Sequence, residues 1–387
     1  MSDFDIIKST DIVIANPTGR MIDGKKECLL NANLVKPIIL YSPSTLGSSI
    51  KYNGKNLISH INASLSTNSK PKVWYEVDST RNPFGSSSIN SICYGNGKFV
   101  AGGMSGKMAY SSDGITWTQV SDSPFGSSSI YSVYHGNGKF VAGGTSGKMA
   151  YSTDGVNWTA VTDSTFGNNT TIFSICYEKG KYVAVGGYMV SSMTITTYHG
   201  KMAYSTDGVT WTSIDISAFG NYRIYSICYG NGKFVAVGGR PDKIIQGTST
   251  GAGGKMAYST DGVTWTEVTN SYFETSEIYS VYHGNGKFVA GGMSGKMAYS
   301  TDGVNWTEVD SPFGSSSIHF TYYGNGKFVA GGNGGKIAYS TDGITWTAVS
   351  NSTFGTNPIS SICYGNGKYV AVGPDGKMAY CQVKVPE

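Results

Sequence analysis

Ser91–Val100 reads SICYGNGKFV, and close copies of this decapeptide return six more times along the 387 residues. They are SVYHGNGKFV from Ser132, SICYEKGKYV from Ser174, SICYGNGKFV from Ser226, SVYHGNGKFV from Ser280, FTYYGNGKFV from Phe320 and SICYGNGKYV from Ser361. Self-similarity with a period of about 40–50 residues marks an array or a propeller. The central Asn-Gly predicts a tight type I′ hairpin, because both of its residues need positive φ.

A second block, Gly-Lys-Met-Ala-Tyr, follows each copy, from Gly106, Gly147, Gly200, Gly254, Gly295, Gly335 (with Ile337 for Met) and Gly376. After six of these comes Ser-x-Asp-Gly-x-x-Trp, with Asp113, Asp154, Asp207, Asp261, Asp302 and Asp342. Its tryptophans are Trp117, Trp158, Trp211, Trp265, Trp306 and Trp346. Each unit therefore reads as four short strands: I-x-S-I-C-Y, K-F-V-A-G/V-G, K-M-A-Y-S and W-T-x-V.

The seventh unit ends as GKMAYCQVKVPE without the Asp-Gly-x-x-Trp, while KVWYEV (Lys72–Val77) precedes the first. Trp74 stands where every later Trp stands. A linear solenoid has no reason to split its terminal unit, but a closed ring does, since the early strand completes the last blade and removes an open edge. The expected fold is an all-β, seven-bladed β-propeller of four-stranded blades over residues 71–387, closed by Trp74. A small β-rich domain over residues 1–70 precedes it.

Ser-x-Asp-Gly-x-x-Trp is the Asp-box, and residues 72–387 resemble Asp-box (BNR-type) β-propellers, including those of phage tail and virion proteins. The resemblance implies the fold more strongly than a function, because that family spans sialidases, other glycosidases, assembly factors and lectin-like modules. Six equivalent aspartates in six blades suit folding hardware: each carboxylate can accept N–H groups of its own hairpin. Sialidases of this kind clamp a substrate carboxylate with three convergent arginines. Only Arg20, Arg81, Arg223 and Arg240 are present, and three of them do not gather at one axis. The chain is expected not to be an enzyme.

The net charge is +4 and only 14% of residues are charged, so no basic stripe of the kind that tracks nucleic acid is expected. The six cysteines show no CxxC spacing and fit reduced, packed thiols, as in a cytoplasm-folded protein. The five histidines show no metal spacing, and neither a metal nor another cofactor is expected. MSDFDIIK does not read as a secretory signal, and no apolar run approaches the roughly 18 residues of a membrane helix.

In an up-and-down blade the Asn-Gly hairpins and the Asp-boxes share one face, where the copies are nearly invariant. Variation gathers on the other. Two insertions fall there, Tyr188–His199 (YMVSSMTITTYH) and Arg240–Gly253 (RPDKIIQGTSTGAG), in consecutive units, and are expected to form one raised lobe. The same face carries Phe84, Phe125, Phe166, Phe219, Phe273, Phe313 and Phe354, which read as plugs between blades. Beside them one first-strand position varies: Asn90, Tyr131, Phe173, Tyr225, Tyr279, His319 and Ser360. Aromatic rings stack on sugars, so the candidate binding residues are Tyr131, Phe173, Tyr188, Tyr198, Tyr225, Arg240, Asp242, Tyr279 and His319. The lysines of Gly-Lys-Met-Ala-Tyr form a ring read as solvated edge protection.

In residues 1–70, DIVIA (Asp11–Ala15), KECLL (Lys26–Leu30), KPIILY (Lys36–Tyr41) and Ser49–Ile61 suggest strands, with a polar linker at Asn62–Lys70. Together these features predict a virion- or tail-associated recognition protein. Residues 1–70 would attach it to other virion proteins or pair it with itself, and the propeller would bind a host-surface glycan or receptor. A purely structural propeller is the alternative; a glycosidase using Asp242 or Glu277 is the third.

Overall fold

The computed structural model describes residues 73–382 except 193–194, 240–242, 246–247 and 250–252. Before residue 73 it describes only the backbone of two-residue strands. There, Lys51–Tyr52 pairs with Lys55–Asn56 across Asn53-Gly54, Ile12–Val13 pairs with Lys8–Ser9, and Lys25–Lys26 pairs with Met21–Ile22. The expected strand at Lys36–Tyr41, the linker, Arg240 and Asp242 lie outside the described residues.

Seven antiparallel sheets follow one another, each with four blade strands; the blade 3 sheet gains two more from the blade 4 insertion, and blade 7 takes its fourth from before blade 1. Blade 1 runs Ile89–Gly95, Lys98–Gly103, Met108–Ser111 and Thr118–Gln119. Blade 7 takes Ser361–Gly365, Lys368–Val372 and Met378–Gln382 from the end of the chain. Its fourth strand is Trp74–Glu76, with Cys381 opposite Trp74 and Ala379 opposite Glu76. Val77 N–H donates to Met378 O at 2.8 Å and Asn82 Nδ2 to Gly376 O at 2.6 Å. The ring is closed as the split repeat predicts.

The apolar cores lie between blades. One cluster joins Phe84, Ile89, Phe99 and Trp117 of blade 1 with Val370, Val372 and Met378 of blade 7. Burying an aromatic or branched side chain stabilises the fold by about 1.5–3 kcal/mol, so each seam is a substantial store of stability. The seams also explain the glycine that ends the first strand of every blade but blade 3, which has Glu178. A Cβ on Gly95 would lie 2.0 Å from the ring of His135 in the next blade, and one on Gly365 would lie 2.1 Å from Tyr94. Each aromatic thus lies on the glycine of the blade before it.

The Ser-x-Asp-Gly-x-x-Trp turn is self-contained. In blade 1, Asp113 Oδ1 accepts the N–H groups of Ile115 and Thr116, both at 2.8 Å, and Ser111 Oγ accepts Gly114 N–H at 2.8 Å. Gly114 adopts φ +73°, and a Cβ there would meet Val370 Cγ2 of blade 7 at 2.9 Å. That position demands glycine for both conformation and space.

Replacing Trp74, which is 4% exposed, by Ala is expected to lower unfolding stability by about 3–5 kcal/mol. Trp158→Ala, at a half-buried copy of the same position, should cost less in the same urea titration. Equal losses would contradict the special role of the closing strand.

Candidate binding site at the mouth of the central channel

The first strand of every blade lines a central channel, which opens into a cavity of about 300 Å³. In blades 1 to 6 the pairing of first and second strands skips one residue near its start: Ile89 pairs with Gly103 and Ser91 with Gly102, leaving Asn90 unpaired. The same bulge leaves out Tyr131, Phe173, Tyr225, Tyr279 and His319. A bulge re-aims one side chain without breaking the strand. Here it leaves the preceding isoleucine buried in the seam and sets the variable residue, half-buried, in the channel lining.

Five of these residues form a continuous aromatic arc. Ring centroids are 5.7 Å apart for Tyr131–Phe173, 5.4 Å for Phe173–Tyr225, 5.8 Å for Tyr225–Tyr279 and 5.7 Å for Tyr279–His319. His319 Nε2 stands 2.7 Å from Asn333 Oδ1, an asparagine at the second–third turn of its own blade. The partner is not apparent from the repeat, because blades 1, 2 and 5 carry Met104, Thr145 and Met293 at that turn. Asn90 Nδ2 donates to Ile130 O at 2.9 Å, and Ser360 completes the rim.

Three residues further down each first strand, roughly 10 Å below the rim, Tyr134, Tyr282 and Tyr322 enter the lining beside Cys93 and Cys363. Burial pushes all three phenols well above their usual range. Burial likewise pushes the thiols of Cys93 and Cys176 up, so they are poor nucleophiles. Cys93, Cys176, Cys228 and Cys363 are free thiols, while Cys28 lies outside the described residues. Among the described residues, no three of His, Cys, Asp and Glu are grouped to hold a metal ion.

The insertions do meet. The second and third strands of blade 3 extend to Lys181–Ser191 and Ile195–Ser205, paired as far as Ser191 and Thr196. Lys243–Ile245, from the blade 4 insertion, joins this sheet opposite Ile195–Thr197. Tyr188 is half-buried and stacks on His199 at 4.8 Å. Tyr198 is only 3% exposed, with the Arg223 guanidinium 4.7 Å above its ring, so it offers a ligand almost no surface.

The chain matches the DUF6242 beta propeller domain over residues 49–274 and 233–372. It belongs to that family. No curated protein matches it. Among solved structures, the DUF6242 propeller is similar to YCF48 bound to a D1 peptide, at 16% identity and a TM-score of 0.59, covering 80% of this chain and 96% of the other. YCF48 from Cyanidioschyzon merolae is 17% identical with a TM-score of 0.56, over 80% and 98% of the two chains. A catalytically inactive virginiamycin B lyase from Staphylococcus aureus with quinupristin is 12% identical with a TM-score of 0.59, over 80% and 98%. Similarity at this level establishes the fold alone.

The other two rings of the DUF6242 propeller are structural. All seven Phe of the Phe-Gly loops are at most 1% exposed. The lysine ring differs from the solvated reading: Lys107 Nζ donates to Phe84 O at 2.9 Å, Lys148 to Phe125 O at 2.9 Å and Lys336 to Phe313 O at 2.7 Å. Carbonyls at the bends of these loops attract the nearby ammonium groups, a contact that residue type alone does not announce. On the opposite face Asn96 Nδ2 donates to both Gly138 O and Thr153 O, at 3.0 Å each, locking hairpin to neighbouring turn.

Two kinds of titratable group make stability pH-dependent. Backbone N–H donation from Thr210 and Val209 holds the Asp207 carboxyl down at about 2. Its contribution is therefore present above the unfolded value near 3.9 and lost as pH falls toward 2. Burial depresses the His135 and His283 imidazoles. The unfolded chain then binds more protons below its pKa of about 6.5, so stability falls as pH drops through that value. His135→Tyr with His283→Tyr, the residue of the five other blades, should flatten the fall in Tm between pH 7 and pH 5. An unchanged slope would remove the two imidazoles from the account.

Proposed function

We propose that this protein is a non-enzymatic recognition propeller that binds a glycan at the channel mouth of its variable face. The observation that carries the reading is the arc of five adjoining rings, Tyr131, Phe173, Tyr225, Tyr279 and His319, at a repeat position where the copies diverge. Rings with hydroxyl-bearing neighbours present apolar area and hydrogen-bond partners together, which suits the mixed faces of a sugar.

A peptide strand finds less to hold. Strand addition needs free main-chain groups on an edge. On the inner edges, Val133 N–H is taken by Ser91 Oγ at 3.0 Å, Val281 N–H by Ser226 Oγ at 3.2 Å and Thr321 N–H by Ser280 Oγ at 2.8 Å. Hydrolysis of a glycoside needs two carboxylates flanking the bond. The described cavity lining contains neither Asp nor Glu; Glu277 is buried outside that lining, and Asp242 lies outside the described residues.

The finer reading takes the repeated turns as Asp-boxes and the chain as a BNR-type propeller carried on a phage tail or virion. It rests on the resemblance of the motif and of the Gly-Asn-Gly-Lys-Phe array. In that setting residues 1–70 attach the propeller to the particle, and several copies on one particle multiply weak contacts into firm adhesion.

Tyr225→Ala and Tyr279→Ala are each expected to weaken binding to immobilised host-envelope glycan by about fivefold or more, the worth of one aromatic contact of about 1 kcal/mol. Tm should move little, since both rings are half-buried on the rim. Undiminished binding in both variants would overturn the assignment of the site.

A further inference from the structure

The rim is lopsided, and its lopsidedness has a direction. The aromatic arc occupies blades 2 to 6 and is centred on Tyr225 of blade 4. Blades 7 and 1 carry Ser360 and Asn90 instead, and in a ring of seven the seam between them lies opposite blade 4. Two small polar residues in place of rings leave a notch in the wall. Ser360 is fixed by N–H donation to Val372 O at 2.8 Å, and Asn90 by its bond to Ile130 O, so neither leans across the gap. Beyond the arc stands the extended ladder of blade 3, with Met189 and Val190 about half exposed at 49% and 53%.

The lining is also uncharged. Among the described residues around the cavity there is no Lys, Arg, Asp or Glu. Arg223, two residues before Tyr225, is engaged over Tyr198, and Lys201 with Phe166 O at 2.7 Å and the ring of Tyr188. A ligand carboxylate entering this cavity would lose hydration without gaining a counter-charge, which is costly.

We propose that the cup binds an internal stretch of a neutral polysaccharide, whose chain crosses the mouth from the blade 3 ladder and leaves through the notch between Asn90 and Ser360. A closed rim would admit only a chain end; a notched one lets a continuous chain lie across. This inference rests on the glycan-binding reading above and adds to it both the charge class of the ligand and its mode of entry.

The test uses the full chain on an array carrying neutral and acidic oligosaccharides, each at two and at six sugar units. Ser360→Tyr and Asn90→Tyr close the notch with the residue that the repeat itself places in blades 2, 4 and 5, so the fold has already accepted it. The expected result is binding of neutral members only, with six units held at least tenfold tighter than two. Either substitution should abolish that gain with length. Acidic members bound as well as neutral ones, or length dependence unchanged in both variants, would overturn the inference while glycan binding stands. An array with no bound member at all would overturn both.

Discussion

At six of the seven seams of this ring, the first strand of one blade ends in a glycine against an aromatic residue of the next. Tyr94 over Gly365, His135 over Gly95 and Tyr323 over Gly284 are the same contact at three points of the circle. The first of them joins the two ends of the repeat array and has to match the others, or the circle does not shut. Blade number follows from the angle that these contacts impose. So does the diameter of the channel, and with it the size of any ligand that the first strands can surround. Where a blade departs from the rule, as blade 3 does with Glu178 in place of glycine, its hairpin departs too, with Lys179-Gly180 for Asn-Gly.

The division of labour between the two faces has the same origin. On one face, side-chain amides and carboxylates are consumed in binding the chain to itself: Asn96 to Gly138 and Thr153, Asp113 to Ile115 and Thr116. Such residues tolerate little change, and the copies barely differ. On the other face the bulged residue of blades 1 to 6 stands out of register with the ladder. The scaffold accepts Tyr, Phe, His or Asn there, and Ser at the matching place in blade 7. Recognition is placed where the fold does not constrain the residue.

Comparison of the seven copies made most of the fold legible from sequence. The split seventh unit and the position of Trp74 led directly to ring closure, because the last unit lacked its Trp strand and KVWYEV carried that Trp ahead of the first unit. The rim residues were legible as a varying position, but their convergence was not. Their aim depends on a bulge between Ile89 and Ser91 that no change of residue type marks. Three-dimensional context also decided Tyr198, which looked like a surface aromatic and lies beneath Arg223. The lysine ring was misread for a similar reason: its partners are backbone carbonyls, such as Phe84 O, and every residue has one. The raised lobe was legible from two adjacent insertions, and its shared sheet through Ile195 and Ile245 is what adjacent insertions allow.

Ring closure through Trp74 has a consequence for synthesis. The strand that finishes the last blade is among the earliest propeller segments to leave the ribosome, and its partners arrive at the very end. Asn82 and Gly376, bonded in the folded ring, are 294 residues apart in the chain. The entropy of joining such distant points grows only with the logarithm of the separation. The wait grows in direct proportion to it. Until blade 7 emerges, the nascent arc must keep its first strand unpaired through six chances to dock on the wrong blade, each already supplied with a Trp strand of its own.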